Sequence, residues 1–324
     1  MSAVDARRQI EKHLFSIQGV VGVGGGEDKI NVYVEGSPGN TEIPTEVAGL
    51  QTQIFKVGHI RALPLMDPLL VSLWGTEAES LTVSRTGKVR PSPCGVSVGH
   101  YKITAGTLGM VLQLGSRLYG ISNNHVLANA STSKTPNAQL GDPIYQPGPY
   151  DGGTEADTIG KLATYVPIDT DKANIVDVAA FEPINESDIS TEILEIGIPS
   201  GFRNAVVGDS VRKSGRTTGL NTGIVQDIDA TIQVDYGGFT ATFNHQILTS
   251  YMANGGDSGS ALVAADSLEI VGLLFAGSEY VTIHNHIANV LNALRYQPSA
   301  TGGGNLLGQL LPAGVGLALL AALV

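Results

Sequence analysis

Three residues in this chain have the side-chain types and local settings that acyl transfer needs. They are His125 in YGISNNHVLAN, Asp177 in NIVDVAAFEP and Ser258 in NGGDSGSAL. A serine hydroxyl attacks an amide poorly at neutral pH. It needs a base to take its proton, a carboxylate to orient that base, and N–H donors for the oxyanion. Among seven histidines, His125 is the best candidate base, because it follows an apolar strand and precedes a helix-like turn. Asp177 lies within an apolar run, where an unpaired carboxylate is costly to bury and a histidine partner would offset that cost. Asp169 and Asp171, in the polar stretch PIDTDKAN, read as solvated. Gly256 and Gly259 flank Ser258 and free the backbone for positive φ. The N–H groups of Gly256, Asp257 and Ser258 can then converge on one point. Each piece also has a plain reading. A lone histidine is often a surface or capping residue, and GDSG can be only a tight turn. The order His, Asp, Ser, at separations of 52 and 81 residues in a chain rich in strands, is much the stronger signal.

The elements around these residues are short. The chain has 324 residues, 41 of them glycine, with 15% charged residues and 42% apolar ones. Such a composition suits many turns and a sizeable core, and the fold class it predicts is mainly β. From GTLGMVLQL to LEIVGLLFAG, strand patterns alternate with turn signals, as in closed antiparallel barrels or a sandwich. HIANVLNALRYQ predicts a closing helix with Ile287, Val290, Leu291 and Leu294 on one face. Residues 1–85 read as a separate α+β module: an amphipathic first helix carrying Val4, Ile10, Leu14 and Ile17, a hairpin over GVVGVGGGEDKINVYVEG, then a short helix and a strand in TEIPTEVAGLQTQIFKVGHIRAL. GVGGG lacks the spacing of a phosphate loop, since Glu27 stands where the third glycine belongs. Residues 86–297 form the second unit, entered through a turn-rich linker with Pro91 and Pro93. Residues 298–324 are a Gly-rich linker and an uncharged tail. Its last 20 residues, 305–324, could just span a bilayer, although Gln309, Pro312 and several glycines weaken a helix there.

NNHVLA, DVAAF and GGDSGSAL resemble, in order and context, the catalytic motifs of chymotrypsin-like serine proteases, and SGRTTGLNTGIV resembles the segment before the nucleophile in bacterial members. The resemblance covers about residues 95–295. It implies a chymotrypsin-like double β-barrel of two six-stranded barrels, with His125 and Asp177 from the first and Ser258 from the second. The whole chain also looks like a bacterial group of trypsin-like peptidases with an N-terminal module. The implied activity is that of a serine endopeptidase with Gly256 and Ser258 as oxyanion donors, acting on a protein or peptide and needing no cofactor. Met252 stands where trypsin-specificity members carry an aspartate, so cleavage after Arg or Lys is not implied. Met252, Phe275, Ala276 and Gly277 would line the specificity pocket and point to an apolar or small residue before the scissile bond. Asp257, which pairs with a new N-terminus in zymogen-activated relatives, has no matching activation site here and would only brace its loop. Two alternatives remain: a catalytically idle protease fold that binds a partner, and a self-processing protease associated with a membrane through its tail.

Net charge is −11, from 19 basic and 30 acidic residues with no basic run, which argues against nucleic-acid binding. A single cysteine, Cys94, rules out an internal disulfide and leans towards the cytoplasm; flanked by Pro93 and Gly95, it reads as an exposed thiol. The N-terminus has no apolar core of the signal-peptide kind. His284 and His286 lie two apart, without a cysteine or third carboxylate nearby to make a metal site. QPGPYDGGTEAD is a loop that either borders the cleft or only joins strands.

Overall fold

Runs of alternating or wholly apolar residues, cut every few positions by glycine and proline, become strands that close on themselves. The computed structural model describes residues 3–26, 29–36, 43–47, 49–63 and 83–295. The apolar stretch 305–324 lies outside them. Among the described residues, no helix is long and apolar enough to cross a membrane.

The N-terminal module runs α1 (Ala3–Leu14), β1 (Val20–Gly24), β2 (Lys29–Val34), β3 (Glu46–Val47) and β4 (Leu50–Lys56). Leu14, Ile17, Val20, Val23, Ile30 and Val32 form its small core. Among the described residues of TEIPTEVAGL there is no helix; β3 and β4 form a tight antiparallel pair, Glu46 opposite Gln51. Pro44 removes a backbone donor, and β-branched Thr45 and Val47 favour extended backbone. After β4 the chain forms β5 (Arg61–Ala62), and later β6 (Ser92–Cys94).

The first barrel uses β7 (Ser97–His100), β8 (Gly106–Thr107), β9 (Met110–Leu114), β10 (Arg117–Ser122), β11 (Pro143–Tyr145), β12 (Thr158–Tyr165) and β13 (Ala179–Pro183). Its strand order is β8-β7-β11-β12-β13-β10-β9. Because β8 runs on into β9 through Leu108 and Gly109, the path ends on the stretch where it began, and the barrel is closed. The helix α2 (Asn124–Leu127) follows β10, and β14 (Ile189–Ile193) pairs with β6.

After β15 (Gly201–Phe202), the second barrel uses β16 (Ser210–Gly215), β17 (Gly219–Asp235), β18 (Thr240–Ser250), β19 (Ala261–Ala264), β20 (Glu269–Gly277) and β21 (Val281–His286). The order β16-β19-β20-β21-β18-β17 closes through a β16–β17 pairing. The N-terminal module is hydrogen-bonded to this barrel, with Gly22 of β1 opposite Ile232 of β17. The closing helix α3 (Ile287–Ala293) buries Ile287, Val290 and Leu291, with Leu294 buried just beyond its end. Their spacing gives one apolar stripe.

Cys94 is fully buried, not exposed, and burial pushes its thiol up to about 12. Strand β6 carries it into the core of the first barrel, where the thiol packs as a small apolar group.

Candidate active site

His125 sits in α2, immediately after β10, so a rigid strand sets the position of the imidazole. Asp177 lies two residues before β13, in the irregular stretch leading into the strand and not in the strand itself. Both side chains are buried, and Asp177 Oδ2 lies 2.6 Å from His125 Nδ1. The carboxylate accepts only, so Nδ1 carries the hydrogen and Nε2 is left as the basic nitrogen. Nε2 is buried and has no hydrogen-bond partner.

Four further contacts hold Asp177. Its Oδ1 accepts the His125 backbone N–H at 3.3 Å, and its Oδ2 accepts the Tyr236 hydroxyl at 2.9 Å. Its own N–H donates to Asn285 Oδ1 at 3.0 Å, and its carbonyl accepts from Asn123 Nδ2 at 2.8 Å. Burial, with the nearby Asp177 carboxylate, pushes the Tyr236 phenol well above its usual range, so it stays a donor. Tyr236 and Asn285 come from β17's end and β21, both in the second barrel; sequence reading missed them because contacts between barrels leave no local pattern.

Ser258 is buried in the turn between β18 and β19. Gly256 has φ +95° and Gly259 φ +94°. At Gly259 a Cβ would also strike the Ser122 hydroxyl and the Thr107 carbonyl, so glycine is required there. The turn docks on the first barrel: Thr107 N–H donates to the Ser258 carbonyl at 2.7 Å, and Thr107 Oγ1 to the Gly256 carbonyl at 2.9 Å. Gly106, next along β8, lies against both Val126 of α2 and the Ser258 carbonyl. The elbow and the His125 helix thus share one neighbour. Ser258 Oγ donates to the Phe275 carbonyl at 3.2 Å.

Asp257 points the opposite way, into the second barrel. It accepts from Lys213 Nζ at 3.0 Å, Thr218 Oγ1 at 2.6 Å and the N–H groups of Thr217, Thr218 and Asn254. Both ions are fully buried. Burial lowers the Lys213 ammonium from its usual range, even though the Asp257 carboxylate opposes the shift. Lys213 was not anticipated, since one lysine in a strand carries no signal of its partner.

The four residues expected to line a pocket separate. Met252 packs in the second barrel's core with Val211, Val225 and Leu262, and the Phe275 ring packs on Phe243 at 4.8 Å. Large apolar side chains there fill the barrel interior. Ala276 and Gly277 face β5, opposite Ala62 and Arg61. Ala253, not anticipated, joins Leu63 and Leu274 in a small separate cluster. In the loop after His125, Asp151 pairs with Arg216 and accepts from Ser97 Oγ at 2.5 Å, fastening the loop to the second barrel. His284 bonds Thr249 Oγ1 at 3.0 Å and His286 bonds the Ile228 carbonyl at 2.7 Å. Asp171 is exposed and pairs with Lys134.

No family model matches the chain. Over 79 residues it is 43% identical to Serine protease 2 of Streptomyces fradiae, a match covering 24% of this chain and 42% of that protein. The chain thus spans less than half the length of the curated relative it matches. Two solved structures align with TM-scores of 0.47 and 0.46. They are Thermobifida fusca protease A, at 18% identity over 63% of this chain and 97% of that one, and the Nocardiopsis protease, at 17% over 63% and 97%. The resemblance to the chymotrypsin-like serine protease family therefore rests on the matched sequence and on the strand order of two closed barrels.

Proposed function

We propose that this chain is a serine endopeptidase that hydrolyses peptide bonds through His125, Asp177 and Ser258. The observation that carries the reading is the buried His125–Asp177 pair with its free Nε2, set beside a glycine elbow that presents a serine. His125 Nε2 takes the Ser258 proton as Oγ attacks the peptide carbonyl carbon. The oxyanion is received by the N–H groups of Gly256 and Ser258. Asp177 holds the tautomer and stabilises the imidazolium, while Tyr236 keeps the carboxylate in place. His125 then gives the proton to the leaving amine, and water releases the acyl group by the same route.

One observation favours a second reading, a catalytically idle binding protein: Ser258 Oγ is turned to the Phe275 carbonyl. A fluorophosphonate probe separates the two readings. Label on Ser258, lost in Ser258→Ala, is expected; no label on either the folded wild type or a folded Leu63→Gly variant, in which the chain lying on Gly256 N–H is loosened, sinks the enzymatic reading.

A further inference from the structure

The cleft beside Ser258 is already occupied by the chain itself. Strand β5 leaves the N-terminal module and lies antiparallel to the end of β20, with Ala62 opposite Ala276 and Arg61 opposite Gly277. Leu63 N–H donates to the Phe275 carbonyl at 3.3 Å, the same carbonyl that receives the Ser258 hydroxyl. The Leu63 carbonyl oxygen accepts from Gly256 N–H at 2.8 Å. That N–H is one of the two oxyanion donors. The Leu63 side chain is 7% exposed and clusters with Ala253 and Leu274. A Cβ on Gly277 would lie 3.3 Å from Leu63 Cδ1. Ile60 is buried, and its carbonyl accepts from Asp235 N–H at 3.0 Å, so β17 holds the other side of the strand.

Three features of a bound acyl donor are present in this stretch: an extended backbone paired to a strand edge, an anchored side chain, and a carbonyl on one of the two oxyanion donors. We propose that residues 60–63 are a tethered, substrate-like inhibitor of the site, and that the site takes peptides with a branched aliphatic residue such as leucine at the acyl position. The inference rests on the proposed endopeptidase reading. Gly277 leaves room for the leucine, and Ala253 and Leu274 give it an apolar wall without a charge to pair a basic or acidic side chain. The bond after Leu63 leads to Pro64. Proline places a ring carbon where a peptide has its N–H, which makes this bond a poor one to break and suits a resident inhibitor.

The test uses the full chain as wild type, Leu63→Asp and the milder Leu63→Gly, each checked for folding by circular dichroism. Two readouts are taken: the rate of fluorophosphonate labelling, and the anisotropy of a fluorescein-tagged Ile-Arg-Ala-Leu peptide with a free carboxylate. Unseating the strand removes a competitor, so labelling and peptide binding are expected to rise about tenfold or more in the variants. The corresponding Ile-Arg-Ala-Lys peptide is expected to bind about tenfold more weakly than the leucine peptide. Labelling that is equally fast in wild type and a folded variant, with equal peptide binding, overturns the tethered inhibitor and leaves the endopeptidase reading intact. Equal binding of the leucine and lysine peptides overturns the proposed pocket. Peptide binding confined to the variants, with no label on any protein, supports the tethered strand and sinks the enzymatic reading instead.

Discussion

The two buried aspartates on either side of the cleft are handled in opposite ways. Asp257 meets a lysine, a threonine hydroxyl and three backbone N–H groups, so its charge is fully compensated. Asp177 meets a tyrosine, a backbone N–H and an imidazole whose far nitrogen has no partner. A carboxylate surrounded by donors makes a rigid brace. One that holds a histidine with a spare lone pair can support proton transfer. The difference teaches where this molecule uses polar burial for shape and where it keeps a reactive group open.

The sharpest way to break the comparison is to remove the open side. His125→Ala or Ser258→Ala is expected to lower turnover of a leucine peptide by roughly four to six powers of ten, read on a variant freed at Leu63. A loss below about tenfold would remove His125 from the reaction. The braced side should answer in stability. Lys213→Met takes the cation away from the Asp257 carboxylate and leaves it only the threonine hydroxyl and backbone N–H groups, at a cost of roughly 3–5 kcal/mol in urea unfolding. An unchanged midpoint would mean the brace is not structural.

Acid sharpens the same contrast, because histidines buried without a carboxylate partner resist protonation. Burial pushes His284 down to about 3 and His286 to about 4, the neighbouring Lys213 and the stacked His245 adding to the two shifts; only the Ile228 carbonyl and Asp229 oppose it at His286. With the folded values below the unfolded ones near 6.5, the unfolded chain binds protons first as pH falls. Stability is therefore full above about pH 6.5 and is lost progressively towards pH 3, by an amount on the order of a few kcal/mol. Thermal melts across that range should fall steadily, and His286→Asn should flatten the slope; a flat wild-type profile contradicts the burial argument. The smallest effect concerns the tyrosine that distinguishes the Asp177 side. Tyr236→Phe should lower turnover about tenfold through a lost hydrogen bond to a charged group, with little change in melting temperature. A large fall in stability with turnover unchanged would make Tyr236 a packing residue only.

Parts of this were legible in the chain. The glycine elbow announces itself because few residues other than glycine tolerate positive φ, and the barrels announce themselves because strands alternate with turn signals. The closing helix shows its apolar stripe at Ile287, Val290, Leu291 and Leu294. Other parts were not. Pro44, Thr45 and Val47 outweighed a helical reading, giving the β3–β4 pair. Cys94 looked exposed between Pro93 and Gly95, yet strand pairing with β14 carries it inside. Met252 and Phe275 looked like pocket walls, and their size sent them into the barrel core.

By itself the sequence determined the mainly β class and the types and order of His125, Asp177 and Ser258, because composition, turn residues and short motifs are written locally. Only the tertiary structure decided which partners each buried charge meets and what lies in the cleft. Lys213 reaches Asp257 across 44 positions, Tyr236 reaches Asp177 across 59, and Leu63 meets Gly256 from the far end of the chain. Such contacts follow from how closed barrels and an added strand pack together, and no periodicity along the chain encodes that packing.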